Sequence, residues 1–308
     1  MPEGDTLART AAGLRPYLVG RVVTAARTGG PGARPQAERL VGLRIDGVDS
    51  IGKHLLIRFG GGLELRTHLG MHGSWHRYRP GERWRRPAAR ARLVLEVPGA
   101  VAVCFDAPTV ELFERRAEPI HPVLVRLGPD LLDPAFDEAE ALRRLRDPAR
   151  AERTVAEALL DQGALAGIGN VIKNETLHIE RVDPFAPLAD LDDATLARLI
   201  ATAARILREN AAPAHGPERV TTGRARRAVG PLWVYGRAGR PCRRCGTRIR
   251  SSRGGRPPRI TFWCPTCQVA PGSPPGPCRG GTLAARHRRT SRQGPTGALS
   301  DGRRPRPM

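Results

Sequence analysis

The chain of 308 residues carries 51 Lys+Arg against 30 Asp+Glu, a formal charge of +21. That length suffices for about two ordinary domains with their own cores, so no disulfide framework is needed; the positive balance leaves a small neutral metabolite without explanatory value and points to a polyanion, nucleic acid first. No run approaches the ~18 uninterrupted apolar residues of a membrane span, and Glu3 and Asp5 stand where a secretory signal would carry positive charge, which argues against insertion and export.

In chain order, Leu7, Leu14 and Leu18 recur at helical spacing behind Asp5 or Thr6 as N-cap, predicting a first helix of about three turns. Short β-rich runs at 21–25, 43–48, 54–59, 63–68, 92–97 and 101–106, separated by Gly and Pro, predict a sandwich or barrel of antiparallel strands. Runs at 151–161, 170–179 and 193–210 predict a separate helical domain. Residues 221–268 form a small module with twelve arginines and no acid, and the tail 269–308 has eight arginines against Asp301, with seven Pro, seven Gly and almost no apolar periodicity. The tail therefore reads as disordered. These two segments supply +12 and +7, leaving +2 for the first 220 residues, so the anion-binding bias is C-terminal. The expected divisions are 1–130, 131–220, 232–268 and 269–308.

Only two of the 51 basic residues are lysines, Lys53 and Lys173. Arginine stays protonated, whereas a lysine of lowered pKa exchanges a proton near neutrality, so these two merit inspection for chemistry. An Arg-rich codon bias is the simpler account of an arbitrary lysine.

Cys242-Arg-Arg-Cys245 and Cys264-Pro-Thr-Cys267 are two C-x2-C knuckles separated by eighteen residues, the spacing of a four-cysteine zinc site at the base of a β-hairpin. Two disulfides are the competing account, which a reducing compartment disfavours. Four thiolates fill every ligand position, so the ion is structural, one per chain, with no place for a catalytic water. Cys104 reads as a buried strand residue and Cys278 as free. Arg248, Arg250, Arg253, Arg256 and Arg259 on such a hairpin form a phosphate-binding surface.

Met1 precedes the small residue Pro2, so aminopeptidase trimming exposes a secondary amine of pKa well below that of lysine. Such an amine can attack a sugar C1' and form an iminium without a cofactor, with Glu3 beside it as acid. Helix-entry chemistry is the simpler account of a bare Pro-Glu start. Residues 159–175 read as helix, tight Gly turn, helix, with backbone N–H groups and Asn170 at a helix N-terminus where a phosphate can sit. The strand-turn-helix frame of a dinucleotide site is missing.

With these segments in view the chain resembles the formamidopyrimidine-DNA glycosylase and endonuclease VIII family, and its MPEGDT opening resembles the endonuclease VIII branch, in an actinobacterial-type variant covering 1–268. Four segments carry the likeness: residues 1–6, Gly52-Lys53-His54, the LLDQ…AGIGN stretch at 159–170, and the finger with Arg259-Ile-Thr-Phe262. The resemblance implies an α+β multidomain protein: an N-terminal catalytic β-sandwich with flanking helices, a helix-two-turn-helix domain and a C-terminal zinc-finger hairpin. It implies Pro2 as Schiff-base nucleophile, Glu3 as proton donor, Lys53 as a catalytic residue in β-elimination, and Arg259 as a phosphate contact taking part in δ-elimination. Asn170 and Arg256 become DNA contacts, and Met71 with His72 the wedge that fills the gap left by an extruded base, against the alternative of ordinary hairpin packing.

The chain departs from the family at Ile172, where an aromatic is common, which bears on packing beside Asn170, and in a finger loop about two residues longer, which bears on the position of Arg259. Residues 105–111 lack the arginine-rich loop of the formamidopyrimidine branch, which points toward oxidised pyrimidines. The expected function is thus a bifunctional DNA glycosylase and abasic-site lyase of base excision repair, acting on damaged DNA as a cytoplasmic, nucleoid-associated bacterial monomer, with one structural zinc and neither catalytic metal nor organic cofactor. The rival is a non-catalytic zinc-finger nucleic-acid-binding protein on the same fold, which has no reason to combine Pro2, Glu3 and Lys53.

Overall fold

Apolar residues at 7, 11, 14 and 18 make α1 (Gly4–Leu18) a packing helix, because steps of three and four put all four on one buried face. The computed structural model describes residues 2–30, 35–212, 218–255 and 258–269; Arg256, Cys278 and nearly all of the basic tail lie outside the described residues. The N-cap is Glu3 rather than Asp5 or Thr6. Glu3 accepts the Thr6 and Leu7 N–H groups at its backbone carbonyl, at 2.9 and 3.1 Å. Asp5, one residue inside the helix, turns its carboxylate to Arg219 instead.

Eight strands follow: β1 (Ala25–Thr28), β2 (Ile45–Ile51), β3 (His54–Phe59), β4 (Leu63–His68), β5 (Ser74–Tyr78), β6 (Ala91–Val97), β7 (Ala100–Phe105) and β8 (Thr109–Glu114). They form two antiparallel sheets, ordered β1-β6-β7-β5 and β2-β3-β4-β8. One core contains Leu55, Ile57 and Leu65 from one sheet and Leu93, Leu95 and Ala102 from the other, together with the α1 face. This resolves the sandwich from the barrel. Cys104, on β7, is fully buried there.

The periodicity misses β5 and β8 because both interleave charged or polar residues. On β8 the cross-strand register sets Glu111 opposite Arg66, where the two form an ion pair at 2.7 Å, so a charged strand residue is satisfied by its neighbour. The run at 21–25 is displaced: β1 begins at Ala25, and Val22 makes only an isolated bridge to Arg44.

The helical part holds α2 (Glu138–Leu145), α3 (Val155–Ala158), α4 (Asn170–Ile179) and α5 (Asp193–Ala211) around a second core. The sequence misses α2, which Asp137 caps by accepting the Glu140 N–H at 3.0 Å. The run at 151–161 shortens to the single turn α3, which starts at a capping box between Thr154 and Glu157. Asp192 caps α5, as its Asp-rich start suggests. Beyond them β9 (Arg250–Gly254) and β10 (Arg259–Trp263) make the hairpin.

The face of α4 spaced i, i+3, i+4 fastens that hairpin. Asn170 Nδ2 donates to the Ile260 carbonyl at 2.9 Å, Lys173 Nζ to Thr261 Oγ1 at 2.9 Å, and the Phe262 N–H to Asn174 Oδ1 at 2.6 Å. One residue on, the buried Glu175 carboxylate accepts the backbone N–H groups of Trp233, Val234 and Tyr235. A buried carboxylate saturated by backbone donors fixes the chain entering the finger.

Candidate active site

The N-terminus, the β2–β3 turn and the junction of α4 with β10 meet at a cleft of about 940 Å³. Pro2, Lys53, Met71, Asn170, Lys173 and Arg259 all line it.

Glu3 lies beneath the cleft, wholly buried. Its Oε1 accepts the Val171 N–H at 2.8 Å and its Oε2 the Ile172 N–H at 3.1 Å. These are the helix N-terminal donors that the sequence reading reserves for a phosphate, so that expectation is corrected: the helix end is taken by the protein's own carboxylate. Asn170, whose amide donates to Ile260, is likewise engaged within the protein while lining the cleft. The glycine turn is the condition for this arrangement. A Cβ on Gly169 would lie 2.2 Å from Glu3 Cδ, and the Gly4 N–H donates to the Gly167 carbonyl at 2.9 Å. Ile172 packs fully buried in the helical core, with its N–H on Glu3.

Lys53 follows Gly52, whose φ of +56° needs a glycine. The Gly52 N–H donates to Asp130 Oδ2 at 2.8 Å, while Asp130 Oδ1 accepts the Leu132 N–H, so the turn is pinned to the chain entering the helical part. Burial pushes the Lys53 pKa down to about 8; Glu3 opposes the shift, and Arg259 and Arg219 add to it. Lys173 is 1% exposed, and burial brings it too to about 8, with Glu3 opposing and Arg259 assisting. The chain's two lysines therefore share one cleft and one electrostatic environment. Arg259 stands at the start of β10 and lines the same cleft as both lysines.

Behind Lys53, burial drives His54 to a pKa of about 3, with His68 and Arg66 contributing. A neutral His54 Nδ1 is then free to accept from Arg66, 3.0 Å away. Met71 is 58% exposed, on a turn whose Gly73 N–H returns to the Leu69 carbonyl at 2.8 Å. His72 is exposed beside it, outside the cleft lining.

Sequence reasoning misses Arg219. Its guanidinium binds Asp5 through two nitrogens, at 2.7 and 2.5 Å, and lies 3.8 Å from Glu3 Oε1. Burial alone would raise the Asp5 pKa and lower that of Arg219; Arg219 reverses the first, and Glu3 together with Asp5 reverses the second. The available signal was indirect. Two acids, Glu3 and Asp5, at the start of a helix bound for the core demand a buried cation, but nothing marks which of 49 arginines supplies it.

The four finger cysteines have their Sγ atoms within 4.8 Å of one another, with Cys242–Cys267 at 3.9 Å and Cys245–Cys264 at 3.4 Å. A disulfide needs about 2.0 Å. Tetrahedral thiolate ligation with bonds of about 2.3 Å sets sulfurs roughly 3.8 Å apart. The cluster is positioned to bind a metal ion, and the all-thiolate donor set fits one held structurally. Among the described residues no helix is long and apolar enough to cross a membrane.

This architecture has known counterparts. The family description "Formamidopyrimidine-DNA glycosylase N-terminal domain" matches residues 1–109, and "Formamidopyrimidine-DNA glycosylase H2TH domain" matches 127–218. The fold is shared with Lactococcus lactis formamidopyrimidine-DNA glycosylase bound to DNA containing N7-benzyl-Fapy-dG: TM-score 0.74, 23% identity, 87% of this chain and 99% of that one. The same enzyme with abasic-site DNA gives a TM-score of 0.73.

At sequence level the chain is 43% identical to a probable endonuclease 8 of Streptomyces coelicolor, over 90% of this chain and 97% of that protein. It is 41% identical to a DNA-(apurinic or apyrimidinic site) lyase of Mycolicibacterium smegmatis, over 88% and 100%. The Escherichia coli endonuclease 8 is 30% identical over 87% and 100%. The chain belongs to the formamidopyrimidine-DNA glycosylase and endonuclease 8 family.

Proposed function

We propose that this protein is a bifunctional DNA glycosylase and abasic-site lyase that excises oxidised bases, pyrimidines foremost, and cuts the strand by β,δ-elimination. The observation that carries this reading is the convergence of Pro2, Lys53 and Arg259 on one cleft, above a Glu3 carboxylate fixed by the α4 N-terminus. The printed names of its endonuclease 8 and lyase relatives support the same activity.

A damaged nucleotide is extruded at a cost of about a few kcal/mol, less where damage has weakened stacking, with Met71 and His72 filling the gap. The neutral Pro2 nitrogen attacks C1', the C1'–base bond breaks, and its electrons leave with the base. The Glu3 carboxylate takes the proton that the attacking nitrogen sheds and passes it to the ring oxygen as the C1'–O4' bond breaks, and the resulting iminium acidifies the 2' hydrogen; its loss expels the 3' phosphate, and a second elimination expels the 5' phosphate. Lys53 serves the first elimination, and Arg259 grips the flanking phosphate for the second. Asn170 and Arg256 complete the DNA contacts. Segments 1–130, 131–220 and 232–268 are the working domains, 269–308 a basic tail, and the protein acts as a monomer at the nucleoid. Four thiolates favour zinc as the single ion, in a purely structural role.

Borohydride trapping on abasic-site DNA tests the reading: the wild type yields a covalent protein–DNA adduct. DNA binding without any adduct would instead establish the non-catalytic binding protein.

Two further outcomes are expected. Lys53 and Lys173 are cationic below about pH 8 and neutral above it in the free protein. Bound phosphates favour the cation and raise those pKa values. Hence kcat/KM falls through about pH 8 while kcat falls only at higher pH. Lys53→Arg, which keeps its charge, flattens that limb; an unchanged limb assigns it to Lys173. The second outcome concerns the metal. Cys264→Ser loses the one bound zinc on elemental analysis and loses duplex binding, since Cys264 directly follows the strand docked on α4. Full activity in a zinc-free variant contradicts the structural role.

A further inference from the structure

The net charge hides a second basic segment. Residues 77–92 hold seven arginines against the single acid Glu82, inside the part of the chain whose overall charge is almost balanced. The connection between β5 and β6 folds over the outer face of the first sheet and is anchored there. Trp84 stacks on Tyr78 with centroids 6.1 Å apart and meets Phe105 edge-on at 5.8 Å. The Arg85 N–H donates to Tyr78 Oη at 3.1 Å, and the Arg79 N–H to Glu82 Oε2 at 2.8 Å.

The same connection is fastened to the turn bearing Met71. Arg86 donates to the His72 carbonyl at 3.0 Å and pairs with Asp106 at 2.6 Å, and Asp106 also pairs with Arg90 at 2.7 Å. Asp106 holds a left-handed φ of +52° on the β7–β8 turn. Pro108, on that turn, lies where a Cβ on Gly70 would meet it at 2.8 Å. The basic segment, the wedge turn and the β7–β8 turn thus form one braced unit.

Arg79, Arg83 and Arg85 are exposed, and among the described residues none of their guanidinium groups has an ion pair or hydrogen bond. Three like charges within seven residues of an anchored loop repel one another and gain nothing inside the free protein. A polyanion removes that repulsion, and the Met71 turn beside them is part of the cleft lining.

We propose that Arg79, Arg83 and Arg85 form a second DNA-binding surface that grips the phosphates of the duplex beyond the wedge, with Arg86 coupling that grip to the Met71 turn. This inference rests on the glycosylase reading, with Met71 as wedge. The partner is the backbone of double-stranded DNA, because Arg86 ties this loop to the turn that fills the extruded nucleotide's place, while none of the three arginines lines the cleft that holds Pro2.

The test uses the full chain with Arg79, Arg83 and Arg85 all changed to alanine. Binding to an abasic-site duplex is followed against salt concentration, and borohydride trapping is measured on a short single-stranded abasic oligonucleotide. Each neutralised phosphate contributes about 0.9 to the slope of log K against log salt, so the duplex slope should fall by about two to three units while single-strand trapping stays at the wild-type level. Arg83→Glu alone should weaken duplex binding in the same direction. A duplex slope equal to the wild type's overturns the proposal and leaves these arginines to an acidic protein surface. Equal loss on duplex and single strand overturns it as well, since the arginines would then serve the damaged strand in the cleft. A wild type that binds duplex but never traps instead sinks the glycosylase reading and leaves the slope comparison intact.

Discussion

Adding one residue ahead of Pro2 abolishes the borohydride-trapped adduct, because an acylated proline nitrogen is a tertiary amide whose lone pair is delocalised into the carbonyl and cannot attack C1'. Pro2→Gly loses less, since it still presents an α-amine. Basicity alone does not single out Pro2 in this protein. An α-amine titrates near 7.7–8.0 and an ordinary lysine near 10.4, but burial brings both Lys53 and Lys173 to about 8. At that value the two lysines have a neutral fraction at neutral pH close to that of an ordinary α-amine. Geometry decides between them: Lys173 Nζ is committed to Thr261, while Pro2 lines the cleft one residue from the carboxylate that handles the proton. Peptide mapping of the reduced adduct places the DNA on the N-terminal peptide; recovery on the peptide containing Lys53 would show that the lysine is the nucleophile.

The same contrast explains what the sequence discloses and what it hides. The helix α4 is predicted to the residue, because an uninterrupted helical run follows a glycine turn, and the cysteine cluster is legible because ligand spacing is local. The sandwich is legible in its apolar strands and hidden in β5 and β8, where Arg77 and Glu111 break the alternation and are satisfied by tertiary partners. Within the site, Pro2, Lys53 and Arg259 come from a resemblance that spans distant segments, and the fold brings them to one cleft. Arg219 stays hidden because its role arises only when residue 219 meets residues 3 and 5. The use of the α4 N-terminus is misjudged for the same reason: local pattern identifies an anion seat, and only the tertiary fold shows that Glu3 fills it. Likewise, net charge averages away the arginines of 77–92.

The Glu3 seat leads to the second large effect. Glu3→Gln lowers excision of a damaged base by about 10² to 10⁴-fold, the usual weight of a general acid–base group, yet leaves most of the lyase activity on preformed abasic sites, where no base remains to be displaced. The substitution is nearly isosteric but not neutral for the fold. Glu3 accepts one backbone N–H on each oxygen; a glutamine keeps one acceptor and turns an NH₂ toward the other donor, which costs about 1–3 kcal/mol for the unsatisfied group. Arg219 remains neutralised by Asp5, so the buried cation is not orphaned. A modest drop in thermal midpoint is therefore expected alongside the large catalytic loss, and the two are separable. Gly169→Ala displaces the same carboxylate by steric contact without altering its chemistry. If catalysis needs only a carboxyl somewhere near Pro2, Gly169→Ala keeps base excision; if it needs the carboxyl held on the α4 N-terminus, both variants lose excision while Gly169→Ala, like Glu3→Gln, still traps on abasic DNA. Equal loss of excision and abasic cleavage in Glu3→Gln would mean that Glu3 serves the iminium itself rather than the opening of the sugar during base excision.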